Sequence, residues 1–142
     1  MTDQWNDRFM SLAYSVAEWS KDPSTKVGAV IVNDKKQVLA IGYNGFPRGV
    51  KDLPERYADR TTKLNFVAHA ERNALDNAFT SVEGATLYST LYPCTECAKG
   101  IIQRGIKTVV TSKDFHETHA HRFNFDISKT MFNEAGVDVL LV

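Results

Sequence analysis

Two short segments carry side chains that could do chemistry together: His69-Ala70-Glu71 and Pro93-Cys94-Thr95-Glu96-Cys97. Cys94 and Cys97 are the only cysteines in the 142 residues. In a reducing compartment such a C-x-x-C pair is metal-binding or redox-active rather than a structural disulfide. One imidazole and two thiolates offer zinc three protein ligands and leave the fourth tetrahedral position for water. A closed structural site takes four ligands, and no third cysteine exists here to complete one, so the set has the make-up of a catalytic site. Glu71 need not be a ligand, because a carboxylate beside such a water can take its proton and return it to a substrate. At this level two plainer readings stand beside that one: an inert glutamate on a helix surface, and a metal-free redox pair.

The elements that hold these residues follow from their spacing. Cys94 and Cys97 are related as i and i+3, which places both sulfurs on one side of a helix's first turn, with Pro93 just before it. A helix N-terminus favours thiolate over thiol. His69 and Glu71 are two apart, so inside a helix they would diverge by about 200° at ~3.6 residues per turn. They share a site only if they sit at a helix end. The segments lie 25 residues apart (94 − 69), room for one strand and its connections. The spacing therefore predicts two helix N-termini, from consecutive crossover helices, converging on one metal.

The rest of the chain supplies a scaffold. Lys+Arg and Asp+Glu are both 17, giving zero net charge, with 43% apolar and 24% charged residues. This is globular composition, and its neutrality argues against a protein held on long nucleic acid by phosphate contacts. There is no apolar run of membrane-spanning length, and the N-terminus resembles neither a signal nor a transit peptide, which points to the cytoplasm. Trp5, Phe9, Leu12, Val16 and Trp19 recur at helical spacing, so residues 3–20 read as an amphipathic helix with both tryptophans packed in the core. A strand at 27–32 apolar on both faces, a turn at 33–36 and a return strand at 37–43 form a hairpin. A polar stretch then runs to about Asn65, long for a loop. Helices at 68–79, 94–104 and 123–135 alternate with strands at 86–91, 107–111 and 137–142, with Gly105 and Gly136 closing the last two helices. Such alternation predicts one α/β domain over residues 1–142, a three-layer α/β/α sandwich with an antiparallel hairpin joined to a parallel set.

The H-x-E…P-C-x-x-C pattern is the one described for zinc nucleobase deaminases, where the glutamate is general acid/base and not a ligand. The resemblance goes further. Ser20-Lys21-Asp22-Pro23-Ser24-Thr25-Lys26-Val27-Gly28-Ala29, Gly42-Tyr43-Asn44-Gly45-Phe46-Pro47-Arg48-Gly49, His69-Ala70-Glu71-Arg72-Asn73-Ala74 and Pro93-Cys94-Thr95-Glu96-Cys97-Ala98-Lys99 are similar to segments of the deoxycytidylate deaminase family. The zinc motifs alone identify only the superfamily, and the G-Y-N-G-x-P loop narrows it. The resemblance implies a cytidine deaminase-like fold with a mixed five-stranded sheet, order 2-1-3-4-5, whose last strands are parallel. It implies zinc on His69, Cys94 and Cys97, Glu71 as the catalytic acid/base, and hydrolysis of dCMP to dUMP and ammonia.

Further roles come from the same resemblance. Asn44 would bind the sugar 3′-hydroxyl, and the Ala70 N–H with Glu71 would read the pyrimidine edge. Ser24 and Lys26 would meet the 5′-phosphate, while Phe115, where relatives carry tyrosine, would pack on the base. The family is commonly a homohexamer activated by dCTP and inhibited by dTTP, with Mg2+ on the triphosphate. Gly42, Tyr43, Gly45, Arg48, Lys51, Arg60 and Lys63 are the candidates for that regulatory site; otherwise they form a solvated polar loop. Residues 44–65 contain neither cysteine nor histidine, so one zinc is expected rather than the two of some relatives. His116, His119 and His121 lack an acidic or cysteine partner at a defined spacing and read as a polar helix start. Two other functions share the motif: a deaminase acting on a base within tRNA or single-stranded DNA, disfavoured by neutrality and the lack of a basic or aromatic tail, and a zinc-stabilised binding module without turnover, disfavoured by Glu71 and the open ligand position.

Overall fold

The structure, a computed structural model, describes residues 4–114 and 122–142. In chain order its elements are α1 (Gln4–Ala17), β1 (Gly28–Val32), β2 (Val38–Tyr43), α2 (Pro54–Ala58), α3 (Arg60–Phe66), α4 (Ala70–Asn77), β3 (Thr86–Ser89), α5 (Thr95–Gln103), β4 (Thr108–Thr111), α6 (Arg122–Ala135) and β5 (Asp138–Leu141). The sheet order is β2-β1-β3-β4-β5, with β1 antiparallel to both neighbours and β3, β4 and β5 parallel, as the resemblance implies.

β1 is buried along its whole length. Its period of two sends Val30 and Val32 against Phe9, Met10 and Ala13 of α1, and Ala29 and Ile31 into a second core. That second core is filled by Ala70, Ala74 and Leu75 of α4, Ala98 and Ile101 of α5, and Phe125 and Phe132 of α6. One face of the sheet thus carries α1, and the other carries the helices that follow the site segments. Gly105 and Gly136 adopt φ of 80° and 76°, the left-handed conformation expected where α5 and α6 end.

Two expectations are corrected. Trp5 and Trp19 are not core residues: they are 39% and 58% exposed, and Leu12 is exposed with them. The buried stripe of α1 is Phe9, Met10, Ala13, Val16 and Ala17. The helix ends at Ala17, not near residue 20, so Trp19 falls in the turn after it, where the helical period no longer applies, and Trp5 sits in the first turn, ahead of the buried stripe. Trp5 stacks on Phe9 at 5.7 Å and Trp19 meets Tyr43 edge-on at 6.0 Å, both at the margin. The stretch after β2 is also not an open loop. It contains α2 and α3, bound by Phe46 stacked on Tyr57 at 4.2 Å and edge-on to Phe66 at 5.5 Å. Those rings lie about ten residues apart, and no helical or strand period reveals them.

Candidate metal centre and active site

Each site segment is held at a helix start. His69 is the N-cap of α4 (φ −74°, ψ 156°) and Cys94 the N-cap of α5 (φ −71°, ψ 174°). N-caps are usually Ser, Thr, Asp or Asn, whose oxygens accept from first-turn amides. Here neither cap side chain does so, and both aim at a common point instead. A two-residue bridge between Gly45 and Ala68, with N–H···O distances of 3.1 and 2.8 Å, ties the exit of β2 to the residue before His69.

Cys94 Sγ and Cys97 Sγ lie 3.3 and 3.4 Å from His69 Nδ1, and the three donor atoms fall within 4.8 Å of one another. Tetrahedral zinc with bonds of about 2.3 Å to sulfur and about 2.0–2.1 Å to nitrogen would space those donors by about 3.6 Å. The donor set therefore fits zinc in both chemistry and spacing. The Cys97 hydrogen bond draws Cys94 down to about 4 against the effect of burial, and His69 adds to it. Cys97 is pushed up by that same bond and by burial. The Cys94 contact raises His69 to about 8 despite its desolvation.

Glu71 is 3% exposed. Burial lifts its carboxyl to about 7, while the charge of His69 and the Ser89 hydroxyl pull the other way. A carboxyl near 7 can both accept and donate a proton at neutral pH, as a general acid/base must. Ser89, fully buried at the end of β3 and near the Glu71 carboxyl, donates its hydroxyl to the Leu91 carbonyl at 2.7 Å. Sequence reasoning missed Ser89, whose only signal is a polar residue at the end of an otherwise apolar strand.

A cleft of about 850 Å³ opens beside the cluster, lined by His69 and Cys97 together with Tyr43, Phe46, Arg48 and Asn73. Of the seven candidate regulatory residues, Tyr43, Gly45 and Arg48 line it, and Arg48 Nη2 donates to Asn77 Oδ1 at 2.8 Å. Gly42 faces the α4 backbone, Lys51 offers its carbonyl to Arg56, and Arg60 begins α3. Lys63 points elsewhere, to Asp22 and Ser24. The structure thus does not bring all seven together. Asn44 is buried and bonded to the 22–27 loop, Ser24 lies on that loop, and Lys26 sits 4.0 Å from the exposed Glu18. Ala70 is buried at the first position of α4. Phe115, His116, His119 and His121 lie outside the described residues. No helix among the described residues is long and apolar enough to cross a membrane.

Residues 3–113 match the family described as the cytidine and deoxycytidylate deaminase zinc-binding region. The chain belongs to that family. It is therefore an enzyme of the deaminase class, a hydrolase of C–N bonds. It is 43% identical over 141 residues to human deoxycytidylate deaminase, covering 94% of this chain and 77% of that protein. Among solved structures it is similar to the dCMP deaminase of cyanophage S-TIM5 in complex with dCMP and dUMP. That match has TM-score 0.77 and 27% identity over 100% of this chain and 99% of the other. A structure from a study of tRNA:A34 deaminases, which carry out A-to-I editing at the wobble position, is more distant. There the TM-score is 0.53, at 32% identity, covering 75% of this chain and 70% of that one.

Proposed function

We propose that this member of the family deaminates dCMP to dUMP and ammonia, acting as a single domain in the cytoplasm. The observation that carries the reading is the convergence of His69, Cys94 and Cys97 on one point beside a buried Glu71. The likeness to deoxycytidylate deaminases supports dCMP as the nucleotide. Zinc on the three ligands supplies the Lewis acidity that brings water's pKa toward neutrality.

Glu71 does the proton work. Its carboxylate takes a proton from the attacking water and passes it to N3 of the base, which makes C4 electrophilic. Oxygen adds to C4, Glu71 carries a second proton to the exocyclic nitrogen, and the C4–N bond breaks to release ammonia. The Ala70 N–H, one of the first-turn amides without an intrahelical acceptor, reads the pyrimidine edge with Glu71. Asn44 accepts from the 3′-hydroxyl, Ser24 and Lys26 meet the 5′-phosphate, and Phe115 packs on the base.

The enzyme works as a hexamer activated by dCTP and inhibited by dTTP, with Mg2+ accompanying the triphosphate. The loop bearing Tyr43, Gly45 and Arg48 supports a regulatory site there, because these residues line the cleft that reaches the metal ligands. The test is a deamination assay across dCMP, CMP, dCTP, deoxycytidine and cytosine- or adenosine-containing oligonucleotides, the nucleotides each with and without dTTP, on wild type and Glu71→Gln. The expected result is a preference for dCMP, inhibition by dTTP, and a loss of at least about 100-fold in kcat for the variant with zinc retained. Near wild-type turnover by Glu71→Gln would overturn the role of Glu71, and turnover of oligonucleotides but not free nucleotides would overturn the substrate.

A further inference from the structure

Asp22 is a hub the proposed chemistry does not use. It is 3% exposed at the side chain and paired with Lys63, itself 18% exposed, at 2.8 Å. Asp22 Oδ1 also accepts from the amides of Ser24 and Thr25 at 2.9 and 3.2 Å and from Ser24 Oγ at 3.1 Å. Asp22 Oδ2 accepts from Asn44 Nδ2 at 3.3 Å. Lys63 Nζ reaches Ser24 Oγ as well, at 2.7 Å.

These contacts fix the Asn44 amide in one orientation. A carboxylate can only accept, so Asn44 must turn its NH2 toward Asp22 and toward Thr25 O at 2.9 Å. Asn44 Oδ1 then accepts from Val27 N at 2.8 Å and retains a second lone pair. With both N–H groups spent, Asn44 has only an acceptor to offer a ligand, which suits a hydroxyl that donates. Lys63 supplies the countercharge that keeps a buried Asp22 ionised, and so keeps it an acceptor.

We infer that the Asp22–Lys63 pair is a positioning device that holds the Asn44 amide in the orientation that reads the substrate's sugar hydroxyl. Lys63 accordingly serves the substrate side and not the regulatory loop. The inference rests on the proposed role of Asn44, and the experiment separates the two. Asp22→Asn, Lys63→Met, Lys63→Arg and Asn44→Ala are compared with wild type on dCMP and its 3′-deoxy analogue, with kcat and KM measured separately at equal zinc content. Wild type should prefer dCMP, and Asn44→Ala should erase the preference. Asp22→Asn and Lys63→Met should raise KM for dCMP about five- to tenfold, the worth of one hydrogen bond. They should leave kcat within about threefold and raise KM for the analogue, which keeps the 5′-phosphate that Ser24 meets, by a clearly smaller factor, and Lys63→Arg should recover most of the loss.

If Asn44→Ala leaves the preference intact, the sugar reading fails and the inference fails with it. If Asn44→Ala erases the preference while Asp22→Asn and Lys63→Met keep it, the inference alone is overturned. A parallel fall in kcat on both substrates would show a general structural role and also overturn it. Should Asp22→Asn not fold, Lys63→Met decides by the same criteria, since its side chain is the more exposed of the two.

Discussion

Gly42 is where scaffold and chemistry meet most tightly. A Cβ placed there would lie 2.3 Å from Ala74 N and 2.6 Å from Ala70 O, both backbone atoms of α4. No rotamer can relieve that overlap. To bring the nearer contact up to 3.0 Å, the least that real Cβ contacts show, α4 must move out from β2 by about 0.7 Å. Overpacking of this kind costs about 1–3 kcal/mol in stability. The same movement carries His69 and Glu71, which flank Ala70, away from Cys94 and Cys97. A displacement approaching 1 Å costs up to about 100-fold in rate, so Gly42→Ala should lose about 10- to 100-fold in kcat. Gly28→Ala is the control. Its Cβ would meet α1 backbone at 2.0 Å, a clash at least as severe. Yet α1 bears no residue of the cluster, and the loop that follows it touches the sugar side, where effects fall on KM. Urea unfolding should therefore show comparable destabilisation of both variants, while kcat per bound zinc drops in Gly42→Ala and stays within about threefold in Gly28→Ala. Equal kcat losses at equal stability, or full activity in Gly42→Ala, would refute the argument that α4 position sets the chemistry.

Two further predictions concern stability. Asn77 Nδ2 donates to Ile41 O at 2.9 Å and its Oδ1 accepts from Arg48, so Asn77→Ala should cost about 1 kcal/mol by urea unfolding, with full zinc content. Asp22 feels burial most, which raises its carboxyl, but Lys63 and the Ser24 and Thr25 amides outweigh burial and leave the pKa lowered. A lowered folded pKa adds stability above the unfolded value of about 3.9 and gives it up as pH falls through the folded one. Asp22→Asn should thus be less stable than wild type at pH 7, with the gap closing only below about pH 4. A gap constant down to pH 2 would contradict this assignment.

The cluster of His69, Glu71, Cys94 and Cys97 was legible from the chain because its constraints are local. Cys94 and Cys97 at i, i+3 after a proline, and His69 and Glu71 two apart, have few ways to meet other than at helix ends, and that is where they lie. The sheet was legible because β1 is apolar on both faces and because glycines end two of the helices. Most of what escaped is non-local. The tryptophans fit a helical period, but α1 spans only Gln4–Ala17, which leaves Trp5 in its first turn and Trp19 in the turn beyond it. Phe46, Tyr57 and Phe66 find each other across some twenty residues. Asp22 and Ser89 bear no pattern of their own. They become intelligible only when Lys63, Asn44 and Glu71 are placed around them.

Both N-caps of the site forgo the usual capping bond and aim their side chains at the point where zinc fits. A missing cap costs a helix about 0.5–2 kcal/mol, and the first-turn amides of α4 and α5 have no intrahelical acceptor to replace it. The ligand bonds that fix His69 and Cys94 must then also anchor these two helix starts. Chelating the zinc should accordingly be felt locally before it is felt globally. Hydrogen exchange after chelation should quicken at Asn73 and Ala98, whose amides donate to the His69 and Cys94 carbonyls at 3.0 and 2.8 Å, by about 3- to 30-fold, the exchange equivalent of that lost anchoring. Amides of β1 and β3, paired on both sides and buried, should hold their protection. A uniform rise over the whole sheet would mean that the metal supports the fold at large, and no change at the two helix starts would mean that these caps need no ligand to stay formed.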